Sequence, residues 1–107
     1  MTDKIVVFST CSGAEEAKNL ARRLVEQRLA ACVNLFPQVE SCYRWKGEIH
    51  QDAEVFLVIK SRRALFERLR KEVERLHSYE VPELIAVPIV DGAEAYLSWM
   101  EKELAED

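Results

Sequence analysis

Cysteine is scarce in this 107-residue chain, and the three that occur, Cys11, Cys32 and Cys42, have no CxxC spacing. An odd number of widely spaced cysteines fits reduced thiols better than a disulfide framework. Cys32 and Cys42 are also too far apart to bridge each other, because ten residues of extended strand span roughly 33 Å. The thiols are therefore expected to be free.

Glycine and histidine are equally sparse. Gly13, Gly47 and Gly92 lie far apart, so the chain has no glycine-rich phosphate loop. The two histidines, His50 and His77, are not part of a recognisable triad motif that would hold a base against a nucleophile. These absences predict that the protein is not an enzyme.

Basic residues are not in excess, and long apolar runs are missing. Fifteen Lys and Arg against nineteen Asp and Glu give a formal net charge of −4, which weighs against nucleic acid or an acidic membrane as a partner. No apolar run approaches membrane-spanning length. Residues 1–4 lead directly into a strand without the apolar region of a signal peptide, so a cytoplasmic location is expected.

Hydrophobic periodicity divides the chain into alternating strands and helices. Residues 4–10 are a nearly continuous β-branched and aromatic run, which predicts a central strand buried on both faces. Ser12 and Glu15 have capping-box spacing at the start of a helix, and Ser61 is expected to cap a second helix. The inward positions of that second helix are Leu65, Leu69, Val73 and Leu76.

The last third of the chain predicts one more strand and one more helix. Residues 84–90 read as a strand, and Pro88 predicts that it lies at a sheet edge or is bulged there, because proline cannot donate to a ladder. Residues 91–94, which begin with Asp91, are expected to cap a terminal helix in the same way. The apolar side of that helix is Tyr96, Leu97, Met100 and Leu104. The order βαββαβ with an extra C-terminal helix predicts an α+β ferredoxin-like sandwich, as a single domain over residues 1–107.

The longest predicted feature is a β-hairpin over residues 28–60, with its turn at Lys46 and Gly47. Each arm exceeds a dozen residues, about twice the usual strand length. Two short helices cannot cover a ribbon of that length, so its far half is expected to dock on another surface. A second copy of the chain is the simplest partner, since an exposed strand edge is a template for pairing.

Four residues are of types that bind copper or zinc: Cys11, Cys32, His77 and Glu83. For Cys32, a small buried hydrophobe on a strand is favoured over a ligand, because free cysteine is among the most buried residue types. His77 is equally compatible with metal ligation and with an interaction at the carbonyl end of a helix.

A second constellation combines aromatic and charged side chains near strand and helix ends: Tyr43, Trp45, Lys60, Tyr79 and Glu83. Tyr43 and Trp45 share a strand face because their spacing is two. Lys60 ends a buried strand and needs a nearby carboxylate unless it is solvated, and Glu54 and Glu83 are the candidates. Aromatic packing and an ion pair at an interface are favoured here over a ligand pocket.

Six groups of residues carry a family resemblance. They are LVE at residues 24–26, LAACVN at 29–34, SCYRWKGE at 41–48, Glu54 with Lys60 and Ser61, HSYEVPE at 77–83, and YLSW at 96–99. Together, and in this order along nearly the whole chain, they resemble the CutA divalent-cation tolerance family. The resemblance implies a homotrimer of ferredoxin-like subunits, with the long hairpins continuing sheets between neighbours. It also implies a role in tolerance to divalent cations, especially copper, and copper binding by some members.

The resemblance carries over to candidate metal ligands only in part. His77 matches the family's histidine ahead of the Tyr-x-x-Pro-Glu segment, and Cys32 matches its strand cysteine. Some copper-binding members carry a cysteine where this chain has Ser9, with Cys11 two residues on, and a second histidine where it has Leu76. The leading hypothesis is thus a homotrimer that binds copper(II) or another divalent metal ion weakly through His77 and Cys32.

The alternative hypothesis comes from the family's similarity to trimeric PII-type regulators. It is a PII-like regulatory or assembly module that holds a small anionic ligand in a cleft between subunits. The residues expected to line that cleft are Tyr43, Trp45, Lys60, Tyr79 and Glu83.

Overall fold

The computed structural model describes residues 2–106. Its strands and helices are β1 (Lys4–Cys11), α1 (Ala14–Glu26), β2 (Cys32–Trp45), β3 (Glu48–Arg62), α2 (Phe66–Leu76), β4 (Ile85–Pro88) and α3 (Glu94–Glu103). A single 3-10 turn, Arg63–Leu65, precedes α2. This order confirms the predicted α+β ferredoxin-like fold with an additional C-terminal helix.

The four strands form one antiparallel sheet in the order β2-β3-β1-β4. β1 is central, as its continuous apolar run predicts. β4 lies at an edge, where Pro88 leaves no ladder hydrogen bond unmade. The prediction of an edge strand is therefore confirmed.

The core lies between the sheet and the helices α1 and α2. Alternate side chains of β1 and β3 point to this side, because successive residues of a strand face opposite sides of the sheet. The fully buried side chains include Val7, Leu57 and Ile59 from the sheet, Leu20 and Leu24 from α1, and Leu65, Leu69 and Val73 from the α2 segment. Burial of each such side chain stabilises the fold by about 2 kcal/mol.

The opposite side of the sheet, here called the open face, is largely apolar. Its apolar residues, identified from the strand register, are Val6, Phe8, Phe36, Phe56, Val58, Ile85 and Val87. The same register places Thr10, Cys32, Asn34 and Lys60 on this face as well. The rings of Phe8 and Phe56 stack with centroids 5.5 Å apart. Phe36 and Ile85 remain 51% and 55% exposed. On a sheet face that is in contact only with water, these positions would be occupied mainly by polar residues.

The long hairpin is confirmed, with arms of 14 and 15 residues. Lys46 and Gly47 have φ angles of 51° and 82°, as a two-residue turn with two left-handed positions requires. β1 pairs with β3 only over Val55–Arg62, so the remainder of β3 pairs with β2 alone. The far half of the hairpin is thus a two-stranded ribbon, and a bulge after Phe36 marks where it leaves the sheet.

The predicted capping box at the start of α1 is wrong. The helix begins at Ala14 with Gly13 as its N-cap, and no side chain caps it. Ser12 instead donates a 3.3 Å hydrogen bond to the carboxylate of Glu16. The spacing to Glu15 was misleading because serine finds local partners other than the helix backbone.

The other two predicted caps are also wrong. Ser61 lies within β3, fully buried, and its hydroxyl donates a 2.7 Å hydrogen bond to the carbonyl of Leu29. β3 continues to Arg62, so the following helix starts later than expected. At α3 the N-cap is Ala93, while the carboxylate of Asp91 accepts a hydrogen bond from the backbone N–H of the next residue.

Candidate functional site

His77 is the C-cap residue that follows α2, and its imidazole is completely buried. Nδ1 lies 3.0 Å from the backbone nitrogen of Tyr79, and Nε2 lies 2.7 Å from the carbonyl oxygen of Thr10. A backbone N–H can only donate and a carbonyl can only accept, so this arrangement selects the neutral ring with its proton on Nε2. Both ring nitrogens are therefore occupied within the chain.

Cys11 is the thiol next to this imidazole. Its Sγ lies 3.7 Å from Nε2 of His77, and its side chain is fully buried. Burial raises the pKa of the Cys11 thiol to about 12, and the negative charges of Glu16 and Glu54 act in the same direction. The group is accordingly a protonated, inert thiol and not a thiolate nucleophile.

Cys32 lies elsewhere on the sheet. It pairs with Lys60 of β3, whereas Cys11 pairs with Val55, and five residues of strand separate the two positions by about 17 Å. Within one chain the structure thus brings Cys11, and not Cys32, to His77. Over residues 2–106 no group of three or more His, Cys, Asp or Glu side chains is arranged to hold a metal ion.

Four of the five residues in the aromatic and charged constellation do meet. Tyr43, Trp45, Tyr79 and Glu83 line one cleft with a volume of about 510 Å³. The cleft, here called the ribbon cleft, lies between the far part of β2 and the segment that follows α2. This convergence follows from the hairpin, whose far arm carries Tyr43 and Trp45 beyond the sheet.

Lys60 is not part of the ribbon cleft. Its Nζ lies 3.3 Å from the hydroxyl of Tyr96 and 5.5 Å from the centroid of that ring. The carboxylate that the sequence led us to expect beside Lys60 is replaced by an aromatic side chain of α3. Periodicity gives no information about this contact, because it depends on how the last helix folds back against β3.

The ribbon cleft is negatively charged. Its charged lining residues are Glu54, Glu80 and Glu83, and no basic side chain of the described chain lines it. Glu54 is 7% exposed, and its Oε2 accepts a 2.6 Å hydrogen bond from the hydroxyl of Tyr79. Desolvation, followed by repulsion from Glu54, raises the pKa of Glu83 above its ordinary value. Burial and the bond to Glu54 hold the pKa of Tyr79 well above its usual range.

Sequence reasoning named Glu54 only as a possible carboxylate partner of Lys60, and it did not identify Glu80. A signal for Glu54 exists, since it directly precedes the apolar segment from Val55 to Ile59. An ionised group in such a position must find a polar partner, or the burial is costly. Glu80 is exposed and has no comparable signal.

A lysine lies at the rim of the cleft. Nζ of Lys46 is 5.7 Å from the ring centroid of Trp45 and 3.8 Å from Oε1 of Glu80. The turn that Lys46 forms with Gly47 at the tip of the hairpin brings it there. The ammonium group thus lies near an aromatic ring and a carboxylate of the cleft lining at the same time.

The fold and the cleft define a ferredoxin-like α+β protein with an extended central hairpin. The family model described as CutA1 divalent ion tolerance protein matches residues 5–103. The chain therefore belongs to the CutA1 divalent ion tolerance family, and the resemblance seen in the sequence is confirmed.

Individual relatives agree with this assignment. The divalent-cation tolerance protein CutA of Thermus thermophilus is 44% identical over 91% of this chain and 94% of its own length. The chloroplastic protein CutA of Arabidopsis thaliana is 45% identical over 91% of this chain and 53% of its own length. The chain thus spans about half the length of that plant relative. The crystal structure of CutA1 from Oryza sativa superimposes with a TM-score of 0.95 at 42% identity, covering 97% of this chain and 95% of that one.

Among residues 2–106, no helix is long and apolar enough to cross a membrane.

Proposed function

We propose that the protein is a homotrimeric divalent-cation tolerance protein that binds copper(II) or another divalent metal ion weakly. Membership of the CutA1 family supports the tolerance role, and a relative that matches over nearly its whole length is named a divalent-cation tolerance protein. The observation that carries the metal-binding part is the pairing of His77 with Cys11, an imidazole and a thiol 3.7 Å apart. These are ligand types that copper prefers.

The surroundings of His77 explain why binding is expected to be weak. A metal ion can reach a ring nitrogen only after that nitrogen loses its hydrogen bond to Thr10 or Tyr79, which costs about 1 kcal/mol or more. Cys11 must in addition lose its proton. A third ligand has to come from elsewhere, and Cys32 of a neighbouring chain is the proposed source.

Calorimetric titration of the purified protein with copper(II) tests this proposal. His77→Gln keeps a polar side chain at the position, Cys11→Ser and Cys32→Ser each remove one thiol, and Cys42→Ser is the matched control. We expect weaker binding for the first three variants and unchanged binding for the control. Equal affinity for wild type and His77→Gln, with the fold intact by circular dichroism, would remove His77 from the site.

Two features of the chain support assembly into a homotrimer. The open face leaves Phe36 and Ile85 half exposed, and the far half of the hairpin has no third strand. An uncovered apolar face and an unpaired strand edge both favour self-association. Light scattering is expected to give about 37 kDa, three times the 12.4 kDa chain; a mass of one chain at high concentration would contradict the proposal.

We further propose a non-enzymatic role and a cytoplasmic location. The thiol beside an imidazole, Cys11, is buried and protonated and therefore unsuited to nucleophilic catalysis. Location varies among relatives, since the Arabidopsis protein is named chloroplastic. Fractionation of the source cells tests the location directly.

A second candidate function is a PII-like regulatory or assembly module that binds a small ligand in the ribbon cleft. The observation that favours it is the cleft itself, whose 510 Å³ and aromatic walls of Tyr43, Trp45 and Tyr79 suit a small molecule. In this proposal Lys60 reaches the cleft from a neighbouring chain. A metabolite screen by thermal shift tests it, and the absence of any hit would count against it.

A further inference from the structure

We infer that Glu16 of α1 is a positioning residue for the proposed metal site: through its hydrogen bonds to Ser78, it fixes the place and the tautomer of the His77 imidazole. This inference rests on the proposed metal-binding function and adds to it a residue outside the ligand set. Its basis is a short chain of contacts that runs from the carboxylate of Glu16 to Nδ1 of His77.

Glu16 holds the backbone of the segment that follows α2. Its Oε2 accepts a 2.6 Å hydrogen bond from the backbone N–H of Ser78, and its Oε1 accepts a 3.1 Å hydrogen bond from the hydroxyl of the same residue. The hydroxyl of Ser12 donates a third bond, of 3.3 Å, to Oε1. The carboxylate is thus bound at both oxygens, and it ties α1 to a residue 62 positions further along the chain.

The backbone N–H groups after α2 need such partners because the chain has left the helix. His77 has extended backbone angles, φ −82° and ψ 143°, so the chain turns away from the helix at this residue. A backbone N–H without a helical acceptor has to find another one. The N–H of Ser78 donates to Glu16, and the N–H of Tyr79 donates to Nδ1 of His77 at 3.0 Å.

The position of the Tyr79 N–H selects the tautomer of His77. Nδ1 can accept this bond only when it carries no proton, so the proton lies on Nε2, 2.7 Å from the carbonyl oxygen of Thr10. Oε2 of Glu16 is itself 3.8 Å from Nδ1, and a carboxylate there would by itself favour a proton on Nδ1. The Tyr79 N–H prevents this. Glu16 therefore acts on the ring through the backbone that it holds.

The carboxylate of Glu16 is a strong acceptor in this place. Its side chain is only 19% exposed. Burial acts to raise the pKa of Glu16, but the hydrogen bonds from the backbone and hydroxyl of Ser78 act against it, and the pKa lies below its ordinary value. Hydrogen bonds to an ionised carboxylate are about twice as strong as those between neutral groups.

A fixed imidazole favours metal binding because a ring that changes tautomer or turns has to be ordered again when the ion arrives. Partners that orient a metal-binding histidine typically contribute 10- to 100-fold to metal affinity. Sγ of Cys11 lies 3.7 Å from Nε2 of His77, so a displaced ring would also lose its neighbouring thiol. Glu16 is thus expected to affect metal affinity without touching the ion.

NMR of the His77 ring nitrogens tests the positioning directly. The two nitrogens have well-separated chemical shifts when one tautomer is fixed, and the shifts converge when the tautomers exchange. Glu16→Met keeps the length of the side chain and removes both acceptors, whereas Glu16→Gln keeps a carbonyl acceptor for the Ser78 N–H. We expect a fixed Nε2–H ring in the wild type and in Glu16→Gln, and loss of that pattern in Glu16→Met. His50, in the far half of the hairpin, is the internal reference.

Calorimetric titration with copper(II) measures what the positioning contributes to binding. Glu16→Met is expected to weaken binding by about 10-fold, and Glu16→Gln by less than about 2-fold. Glu15→Met is the matched control, because Glu15 is an exposed acid in the same first turn of α1 and its loss changes the net charge equally. This control should leave both the affinity and the His77 signals unchanged.

The outcomes separate the inference from the function on which it rests. Unchanged His77 signals in folded Glu16→Met would overturn the inference. Equal losses of affinity in Glu16→Met and Glu16→Gln would also overturn it, because the charge of Glu16 and not its hydrogen bonds would be responsible. If the wild type does not bind copper(II), the metal-binding function fails, while the ring signals still decide the role of Glu16. If Glu16→Met does not fold, Glu16→Ala, in which water can reach the Ser78 N–H, replaces it in both measurements.

Discussion

The hydroxyl of Tyr79 donates a 2.6 Å hydrogen bond to Oε2 of Glu54 and so joins the segment after α2 to strand β3. The neighbouring residue His77 anchors the same segment to β1 through the carbonyl of Thr10. These two bonds fix one wall of the ribbon cleft. The cleft is therefore expected to be largely formed before any ligand arrives.

The Tyr79–Glu54 bond is expected to contribute to stability. Tyr79→Phe leaves a buried carboxylate without its donor and should lower the free energy of unfolding by about 2 kcal/mol in denaturant titrations. Tyr43→Phe is a matched control, since that hydroxyl donates to Asp52 at the same 2.6 Å but in an exposed position. An equal loss for both variants would show that burial of Glu54 is not the cause.

The buried hydroxyl of Ser61 is a second test of the fold. Ser61→Ala leaves the carbonyl of Leu29 without its side-chain donor in the interior and is expected to cost about 1 to 2 kcal/mol. Chemical unfolding with tryptophan fluorescence measures the difference. Ser98→Ala, on α3, is the control and should change stability little. If Ser61→Ala does not change the free energy of unfolding, the carbonyl of Leu29 has found another donor.

Glu72 predicts a pH dependence of stability. Hydrogen bonds from Arg75 and then Gln27 lower its pKa from 4.5 to about 2. Because the folded state binds the proton less tightly than the unfolded state, the contribution is present above about pH 4.5 and is lost as pH falls to about 2. Glu72→Gln should cost about 1 kcal/mol at neutral pH after solvent screening, and little at pH 2.

Thermal unfolding across that pH range measures the effect of Glu72. Glu67→Gln, which removes an exposed partner of Arg70, is the comparison and is expected to have a smaller effect. If the difference in stability between wild type and Glu72→Gln is constant from pH 7 to pH 2, the lowered pKa of Glu72 is not its cause.

The cysteines are expected to react at very different rates. With a thiol pKa of about 12, Cys11 has a thiolate fraction at pH 8 roughly 1,000-fold below that of an ordinary thiol, and it is also buried. Exposed Cys42 should therefore be labelled first by a thiol reagent, and Cys11 only after unfolding. Mass spectrometry of single Cys→Ser variants measures each rate, and rapid labelling of Cys11 in the folded protein would contradict the burial described here.

The open face predicts which substitution disrupts assembly. Phe36→Glu places a charge on an apolar surface that a trimer would cover, so light scattering should report a lower mass than for the wild type. Val25→Glu changes a side chain of similar exposure, 44% against 51%, on the exposed side of α1 and should leave the mass unchanged. Loss of assembly in both variants would point to a general loss of stability instead.

The sequence by itself determined the fold and the family. Local signals predicted the elements, because each signal comes from residues close together in the chain. These signals are the continuous apolar run of β1, the helical period of α2, Pro88 in the edge strand and the Lys46–Gly47 turn. The segments between residues 24 and 99 carried the family resemblance in the same way. The caps at Ser12, Ser61 and Asp91 could not be predicted, because short polar side chains bond to whichever backbone or carboxylate group lies nearest.

Only the tertiary structure decided how the candidate site residues are grouped. It brought Cys11 to His77 across 66 residues of sequence, separated both from Cys32, and placed Lys60 against Tyr96 and outside the ribbon cleft. It also made Glu54 a buried acid with a single side-chain donor, Tyr79, among residues 2–106. Such contacts depend on strand register and on how α3 packs against the sheet. They join residues that are far apart in sequence, so the hydrophobic periodicity of the chain does not predict them.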